Sequence, residues 1–192
     1  MKGGLNVRNA LVVLGALFLA TPLLSAGTVR NEESAQKARD HSKYEAWLQK
    51  QVRHELLMLP YYSVFDNLEY RIDGDRVILS GQVMRPVLKS DAENAVKKIE
   101  GVSKVVNHIE VLPVSFHDDR LRRAVYRSIY GNSVLHRYGV GALRSIHIIV
   151  NRGNVTLEGV VDNEMDKNVA NIQANSVPGV FSVTNHLRVV KS

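Results

Sequence analysis

The sequence predicts an α+β fold: two tandem copies of one small αββαβ unit, each a three-stranded mixed sheet covered by two helices. Three observations predict it: an internal repeat, apolar residues spaced at strand or helix periods, and glycine-containing turns between them. The predicted order is an export signal at residues 1–27, a polar linker at 28–44, the first unit at 45–113 and the second at 118–192.

The repeat is visible as two matching stretches with a common offset. Residues 76–83 (RVILSGQV) match 154–161 (NVTLEGVV), 78 positions later. Residues 101–111 (GVSKVVNHIEV) match 179–189 (GVFSVTNHLRV) at the same offset. Upstream the offset is 73, so the second copy carries five extra residues, which we place in a loop around 138–143.

Each copy begins with a helix and a hairpin. The apolar residues of the first helix recur every three to four positions. They are Leu48, Val52, Leu56 and Leu59 in copy one, with Pro60 ending the helix, and Leu121, Ala124, Val125 and Ile129 in copy two. Two runs of alternating apolar residues then flank a turn, which predicts a hairpin. The turns are Asp73-Gly74-Asp75 and Asn151-Arg152-Gly153-Asn154.

A second helix and a last strand complete each copy. Pro86 suits the first turn of this helix in copy one. The predicted inner face is Leu88, Ala92, Ala95, Val96 and Ile99 in copy one, and Met165, Val169 and Ile172 in copy two. The last strand is predicted at 104–112 and at 182–190. Because units of about 70 residues bury only about 60% of their surface, we expect the two copies to pack together.

Four glycines recur between the copies: Gly81, Gly101, Gly159 and Gly179. Glycine permits close approach of a ligand to the backbone, but its recurrence in both copies favours a structural role. Gly101 and Gly179 follow the second helix, where a left-handed residue ends a helix and reverses the chain.

The start of the chain has the pattern of a secretory signal peptide. Lys2 and Arg8 precede an uncharged apolar run over residues 10–20, and Ser25-Ala26-Gly27 favours cleavage after Ala26 or Gly27. An uncleaved inner-membrane anchor is the alternative, since the apolar stretch approaches the length of a membrane span. In both cases the rest of the chain is exported, which in a Gram-negative cell means the periplasm.

Composition excludes several classes of chemistry. The sequence has no cysteine, so disulfides, thiolate metal sites, cysteine nucleophiles and lipidation on an amino-terminal cysteine are excluded. The formal charge is +6, and it falls to +4 when the predicted signal peptide with Lys2 and Arg8 is removed. This modest excess favours anionic partners but falls short of a dedicated nucleic-acid binder.

No catalytic, metal or cofactor site is predicted. The seven histidines show no HxxxH or HxH spacing, and neither G-x-S-x-G nor H-E-x-x-H occurs. Asp118 and Asp119 form a pair of carboxylates, but they open a helix, where aspartate caps and complements the helix dipole.

The duplicated motifs carry a family resemblance. A Val-x-Leu-x-Gly-x-Val strand, then a helix and a Gly-Val-x-x-Val-x-Asn segment, strongly resembles the BON domain of bacterial envelope proteins over residues 45–113 and 118–190. The resemblance implies an αββαβ fold, no enzymatic activity, and a periplasmic protein that binds phospholipid or membrane surfaces and maintains the envelope under stress. Some tandem members are tethered through a lipidated cysteine, which this chain lacks, so its folded surface would make any membrane contact.

The first helix of copy two is the predicted lipid-binding site. Arginine beside tyrosine suits anionic headgroups, and the corresponding helix of copy one mixes both charges. The candidate residues are Arg120, Arg122, Arg123, Tyr126, Arg127 and Tyr130. A merely solvated basic face is the other interpretation of the same run.

Two further functions compete with phospholipid binding. A soluble periplasmic chaperone-like or protein-interaction adaptor would bind polypeptides at the sheet edges or between the copies. A structural adaptor within an envelope complex is the third hypothesis. Nucleic acid is not an expected partner, because export separates the protein from it.

Overall fold

The computed structural model describes residues 26–141 and 144–190, with side chains from residue 34 onward. The predicted signal peptide therefore lies outside the described residues, apart from its last two positions. The chain divides into two compact units at Asp40. In the first unit, residues 34–40 are exposed and helical, so the predicted polar linker lies within a helix. The second unit, His41–Ser192, holds both copies, here called domain 1 and domain 2.

The structure confirms the predicted fold class. Helix α1 (Ala26–Leu57) begins in the first unit, and its part from His41 onward belongs to domain 1. Domain 1 continues with β1 (Asn67–Asp73), β2 (Arg76–Val83), α2 (Pro86–Lys97), β3 (Lys104–Asn107) and β4 (Glu110–Val111). Domain 2 consists of α3 (Phe116–Tyr130), a 3₁₀ helix (His136–Gly139), β5 (Ile146–Asn151), β6 (Asn154–Val161), α4 (Glu164–Asn175), β7 (Ser182–Asn185) and β8 (Arg188–Val189). In each sheet the hairpin is antiparallel, and the central strand, β2 or β6, pairs in parallel with the last segments.

The last strand of each domain is interrupted, whereas we predicted it to be continuous. Asn107 lies at the break: its side-chain amide donates to the Lys89 carbonyl at 2.8 Å, and its side-chain oxygen accepts from the Ile109 amide at 3.0 Å. Asn185 makes the same bonds in domain 2, to the Lys167 carbonyl and from the Leu187 amide. The asparagine of the repeated motif thus ties the strand to the second helix and forces a break in the ladder.

Gly81 and Gly159 let the hairpin strands approach closely. Their φ angles are +107° and +120°, values that residues other than glycine rarely adopt. A Cβ at Gly81 would collide with the Asn67 carbonyl oxygen, and one at Gly159 with the Ser145 carbonyl oxygen. Gly101 and Gly179 also have positive φ, at +83° and +92°.

Each domain has its own apolar core between helices and sheet. In domain 1 the helix faces follow the prediction, since Leu48, Val52 and Leu56 of α1 and Leu88, Ala92 and Val96 of α2 are buried. The α4 face is corrected in part: Met165 and Ile172 are 71% and 62% exposed, whereas Val169 packs against the core as predicted. The buried residues of α4 are Asp166, Ala170 and Ala174, which are the positions of Leu88, Ala92 and Val96 displaced by 78.

The buried carboxylate of Asp166 explains the five-residue insertion. Arg137 and Tyr138 donate hydrogen bonds to Asp166, and both lie in the 3₁₀ helix where the predicted loop around 138–143 begins. Tyr138 also accepts from the Asp162 amide at 2.9 Å. A buried charge is tolerated only when it is paired and hydrogen-bonded. The insertion therefore supplies the partners that an aspartate at this core position needs.

The segment before β1 packs domain 1 against domain 2. The Ile148 amide, on the outer edge of β5, donates to the Val64 carbonyl at 2.8 Å. Val64 and Phe65 pack against the core of domain 2. The expected packing of the two copies is thus made through one short segment.

An aromatic pair extends this contact. The Tyr62 ring lies 5.6 Å from the His147 ring, measured between centroids. Burial and the nearby Asp66 carboxylate raise the pKa of Tyr62 to about 12, so its hydroxyl stays protonated. Burial also lowers the pKa of His147, which favours the neutral ring between the domains.

Candidate functional site

Helix α3 is held at its start by two separate devices. Ser115 caps it, since its side chain accepts from the Asp118 amide. The buried Asp118 carboxylate instead accepts from the amides of Arg152 and Gly153, at 2.8 and 2.9 Å. We predicted that Asp118 caps the helix; it binds the β5–β6 turn, so the helix start and the hairpin form one end of domain 2.

Three of the predicted residues form a basic surface on α3. Arg120, Arg123 and Arg127 are exposed at spacings of three and four residues, and none of them forms an ion pair with another described residue. With His117 and Pro178 they line a shallow groove of about 540 Å³, which we call the arginine groove. Positive side chains without acidic partners are available to an anionic ligand.

Arg122 is not part of this surface. It is 3% exposed, donates to the Val150 carbonyl at 2.6 Å, and pairs with Asp119 at 2.6 Å. Its predicted place among the lipid-binding residues is corrected, because its guanidinium joins α3 to β5. No local pattern around Arg122 indicates this contact, since Val150 lies 28 residues further along the chain.

The two predicted tyrosines also face inward. Tyr130 is buried, its hydroxyl donates to the Ile146 carbonyl, and burial raises its pKa. The ring of Tyr126 is partly buried, with centroids 4.9 Å from Tyr130 and 6.1 Å from Phe65 of domain 1. The arrangement makes Tyr130 a core residue and Tyr126 part of the domain contact.

Sequence reasoning missed the apolar side chains beside the groove. Of the large hydrophobic residues in the described ranges, Val114, Phe116 and Phe181 are the most exposed, at 95%, 85% and 85%. For Phe181 the sequence contained a signal, because the residue at the equivalent position of domain 1, 78 positions earlier, is the polar Ser103.

Domain 1 has different chemistry at the positions of the groove. At the offset of 73, Arg120, Arg123 and Arg127 correspond to Trp47, Lys50 and His54. Trp47 is 40% exposed, and its ring stacks on Tyr44, whose hydroxyl donates to the Gly101 carbonyl. The dense positive charge is therefore a property of domain 2.

The described residues hold neither a cluster of metal ligands nor a helix able to span a membrane. Between 34 and 190, leaving out 142 and 143, no three His, Asp or Glu side chains cluster as metal ligands would. No helix in those ranges has the length and hydropathy needed to cross a bilayer.

Comparison with known proteins identifies the family. The sequence model of the BON domain matches residues 44–113 and 117–191. The chain belongs to the BON domain family. Both matches cover a complete αββαβ unit, so this is a tandem BON protein, and BON domains are generally non-catalytic.

Distant similarities to solved structures accompany this match. The C-terminal domain of CdsD, the structural protein of the type III secretion system of Chlamydia trachomatis, is 11% identical, with 74% of this chain and 96% of that chain covered and a TM-score of 0.26. A second CdsD structure from the same organism is 10% identical, with 76% and 93% covered, also at 0.26. Among curated proteins, none matches the sequence.

Proposed function

We propose that this BON protein is a non-enzymatic, periplasmic envelope protein that binds anionic phospholipid surfaces through the arginine groove and helps to maintain the envelope under stress. The observation that carries the proposal is the set of three exposed arginines on one helix face, none of which pairs with an acidic side chain in the described part of the chain. BON domains are implicated in phospholipid binding, which supports the same partner.

The expected strength follows from the charges. A basic side chain near an anionic membrane surface contributes about 1 kcal/mol, and the contribution falls off within a Debye length. Three arginines on one face therefore contribute about 3 kcal/mol, roughly a hundredfold in partition. Binding of this kind weakens as salt screens the charges.

Liposome co-sedimentation tests the proposal. The purified protein is expected to sediment with phosphatidylglycerol-containing vesicles at low salt and to be released as salt rises. Changing Arg120, Arg123 and Arg127 together to Glu is expected to abolish this binding. The proposal would be refuted if binding depended neither on the salt concentration nor on the change of the three arginines to Glu.

A charge-matched control is available in domain 1. Lys50, Lys98 and Lys104 are also exposed, and changing all three to Glu alters the net charge by the same amount. This control is expected to retain most of the binding. An equal loss in both triple variants would mean that net charge, and not the groove, attracts the membrane.

Strand addition at a sheet edge is less well supported as a function. The outer edge of β5 is already bonded to Val64. The corresponding strand β1 carries Glu69, Arg71 and Asp73 as exposed charges, and charged side chains on an edge strand discourage pairing with another chain.

A further inference from the structure

The most exposed large apolar side chains of the described residues gather at one end of domain 2. The Phe181 amide donates to the Gly153 carbonyl at 2.8 Å, and the Gly153 amide donates to the Asp118 carboxylate at 2.9 Å. Phe116 lies two residues before Asp118, and Val114 precedes the Ser115 cap. We call Val114, Phe116 and Phe181 the apolar tip.

The apolar tip adjoins the arginine groove. His117, next to Phe116 in the chain, lines the groove, and so does Pro178, three residues before Phe181. Gly179, which lies between Pro178 and Phe181 in the chain, packs closely on α3: a Cβ at this position would lie 3.4 Å from Leu121 and 3.6 Å from His117. Apolar and cationic groups are thus presented side by side.

The phenylalanines of the tip are not needed for the fold. At the repeat offsets, Phe181 corresponds to Ser103 and Phe116 to Lys43 in domain 1. The Ser103 amide donates to the Asp75 carbonyl at 2.9 Å, which is the counterpart of the Phe181 bond. Domain 1 forms the same loop with a small polar residue at this position. The fold therefore does not explain why Phe181 is a phenylalanine that is 85% exposed.

We propose that the apolar tip penetrates the membrane, with Phe116 and Phe181 inserted below the headgroups while the arginine groove binds the lipid phosphates. This inference rests on the proposed function and specifies which end of the protein enters the bilayer. An anionic bilayer is the partner that offers negative charge and an apolar interior next to each other. The buried Asp118 holds the helix start and the hairpin turn together, so the rings are presented on a fixed support.

Tryptophan placement measures the penetration directly. The chain has a single tryptophan, Trp47, so a Trp47→Phe background removes native emission. In that background, Phe116→Trp and Phe181→Trp are expected to shift their fluorescence to the blue on anionic vesicles and to be quenched by lipids brominated on their acyl chains.

Met165→Trp is the matched control. Met165 is 71% exposed. It lies at the start of α4, which follows the end of β6 opposite to the Gly153 turn, so no quenching is expected there. Vesicle binding without quenching at 116 and 181 would overturn the insertion and leave the proposed function standing. Equal quenching at 165 would overturn the assigned orientation.

Removal of the rings gives an independent measurement. Because burial of a phenylalanine side chain is favourable, Phe116→Ser and Phe181→Ser are each expected to weaken vesicle partition about tenfold, by the same factor at every salt concentration at which binding is still measurable. Partition unchanged by both substitutions would overturn the inference. No vesicle binding by the unmodified protein would refute the proposed function as well.

Discussion

Domains 1 and 2 share a backbone plan, yet they place different groups at two positions that matter. In the core, Leu88 of domain 1 is replaced by Asp166, whose charge is stabilised by Arg137 and Tyr138. On the surface, Ser103 is replaced by Phe181. The first difference requires compensation within the fold and the second does not. Compensated differences therefore reveal structural constraint, and uncompensated ones point to function.

The largest expected effect comes from transferring the aspartate to domain 1 without its partners. Leu88→Asp would bury a carboxylate that has no counterpart of Arg137 or Tyr138, because domain 1 lacks the insertion. We expect a loss of about 4 kcal/mol in the free energy of unfolding, measured by urea denaturation. Leu88→Met, which conserves volume, should cost about 1 kcal/mol. Similar costs for the two variants would show that the insertion is not what makes Asp166 tolerable.

The motif asparagines should behave alike in the two domains. Asn107→Ala and Asn185→Ala each remove one bond to a helix carbonyl and one from the Ile109 or Leu187 amide in the break between the two strand segments. We expect each to cost about 2 kcal/mol, read from the protection of domain-specific amides in hydrogen exchange. Asn107 should cost slightly more, since it also donates to Glu93 at 3.0 Å. A cost confined to one domain would contradict the shared role.

The smallest effect is a pH dependence confined to the contact between the domains. His147 faces Tyr62 and lies near Asp66 and Glu158. Because burial lowers its folded-state pKa, the unfolded chain binds the proton more readily, and stability falls as pH drops through about 6.5. Above that pH both states are neutral and the contribution is constant.

His147→Gln is the control for this dependence. The variant keeps a polar side chain at the contact but does not titrate, so the slope of stability against pH between 7 and 5 should flatten. Thermal unfolding of both proteins across that range measures it. An unchanged slope in the variant would assign the dependence to other groups.

Much of the fold could be predicted because its signals are local. Strand alternation, turn residues and the helix faces of α1 and α2 follow from neighbouring positions. The α4 face was predicted wrongly from the apolar Met165 and Ile172, although the repeat offset, carried into the helix, indicates Asp166, Ala170 and Ala174. Periodicity counts an aspartate as exposed, and only a partner from another element makes it a core residue.

In the candidate site, too, the correctly predicted residues are those whose placement depends on local spacing. Arg120, Arg123 and Arg127 lie together because helical spacing puts them on one face. Arg122 and Tyr130 belong to the same helix but are buried, because they donate hydrogen bonds to the carbonyls of Val150 and Ile146. Those acceptors lie in a strand that the local pattern of α3 does not describe.

By itself, the sequence determined that the chain holds two BON units with one order of helices and strands, because each element is encoded within a few residues. Tertiary structure alone decided which polar groups became buried, as with Arg122, whose acceptor is the Val150 carbonyl. The physical reason is that burial depends on partners brought from distant parts of the chain, and a periodic pattern carries no information about them.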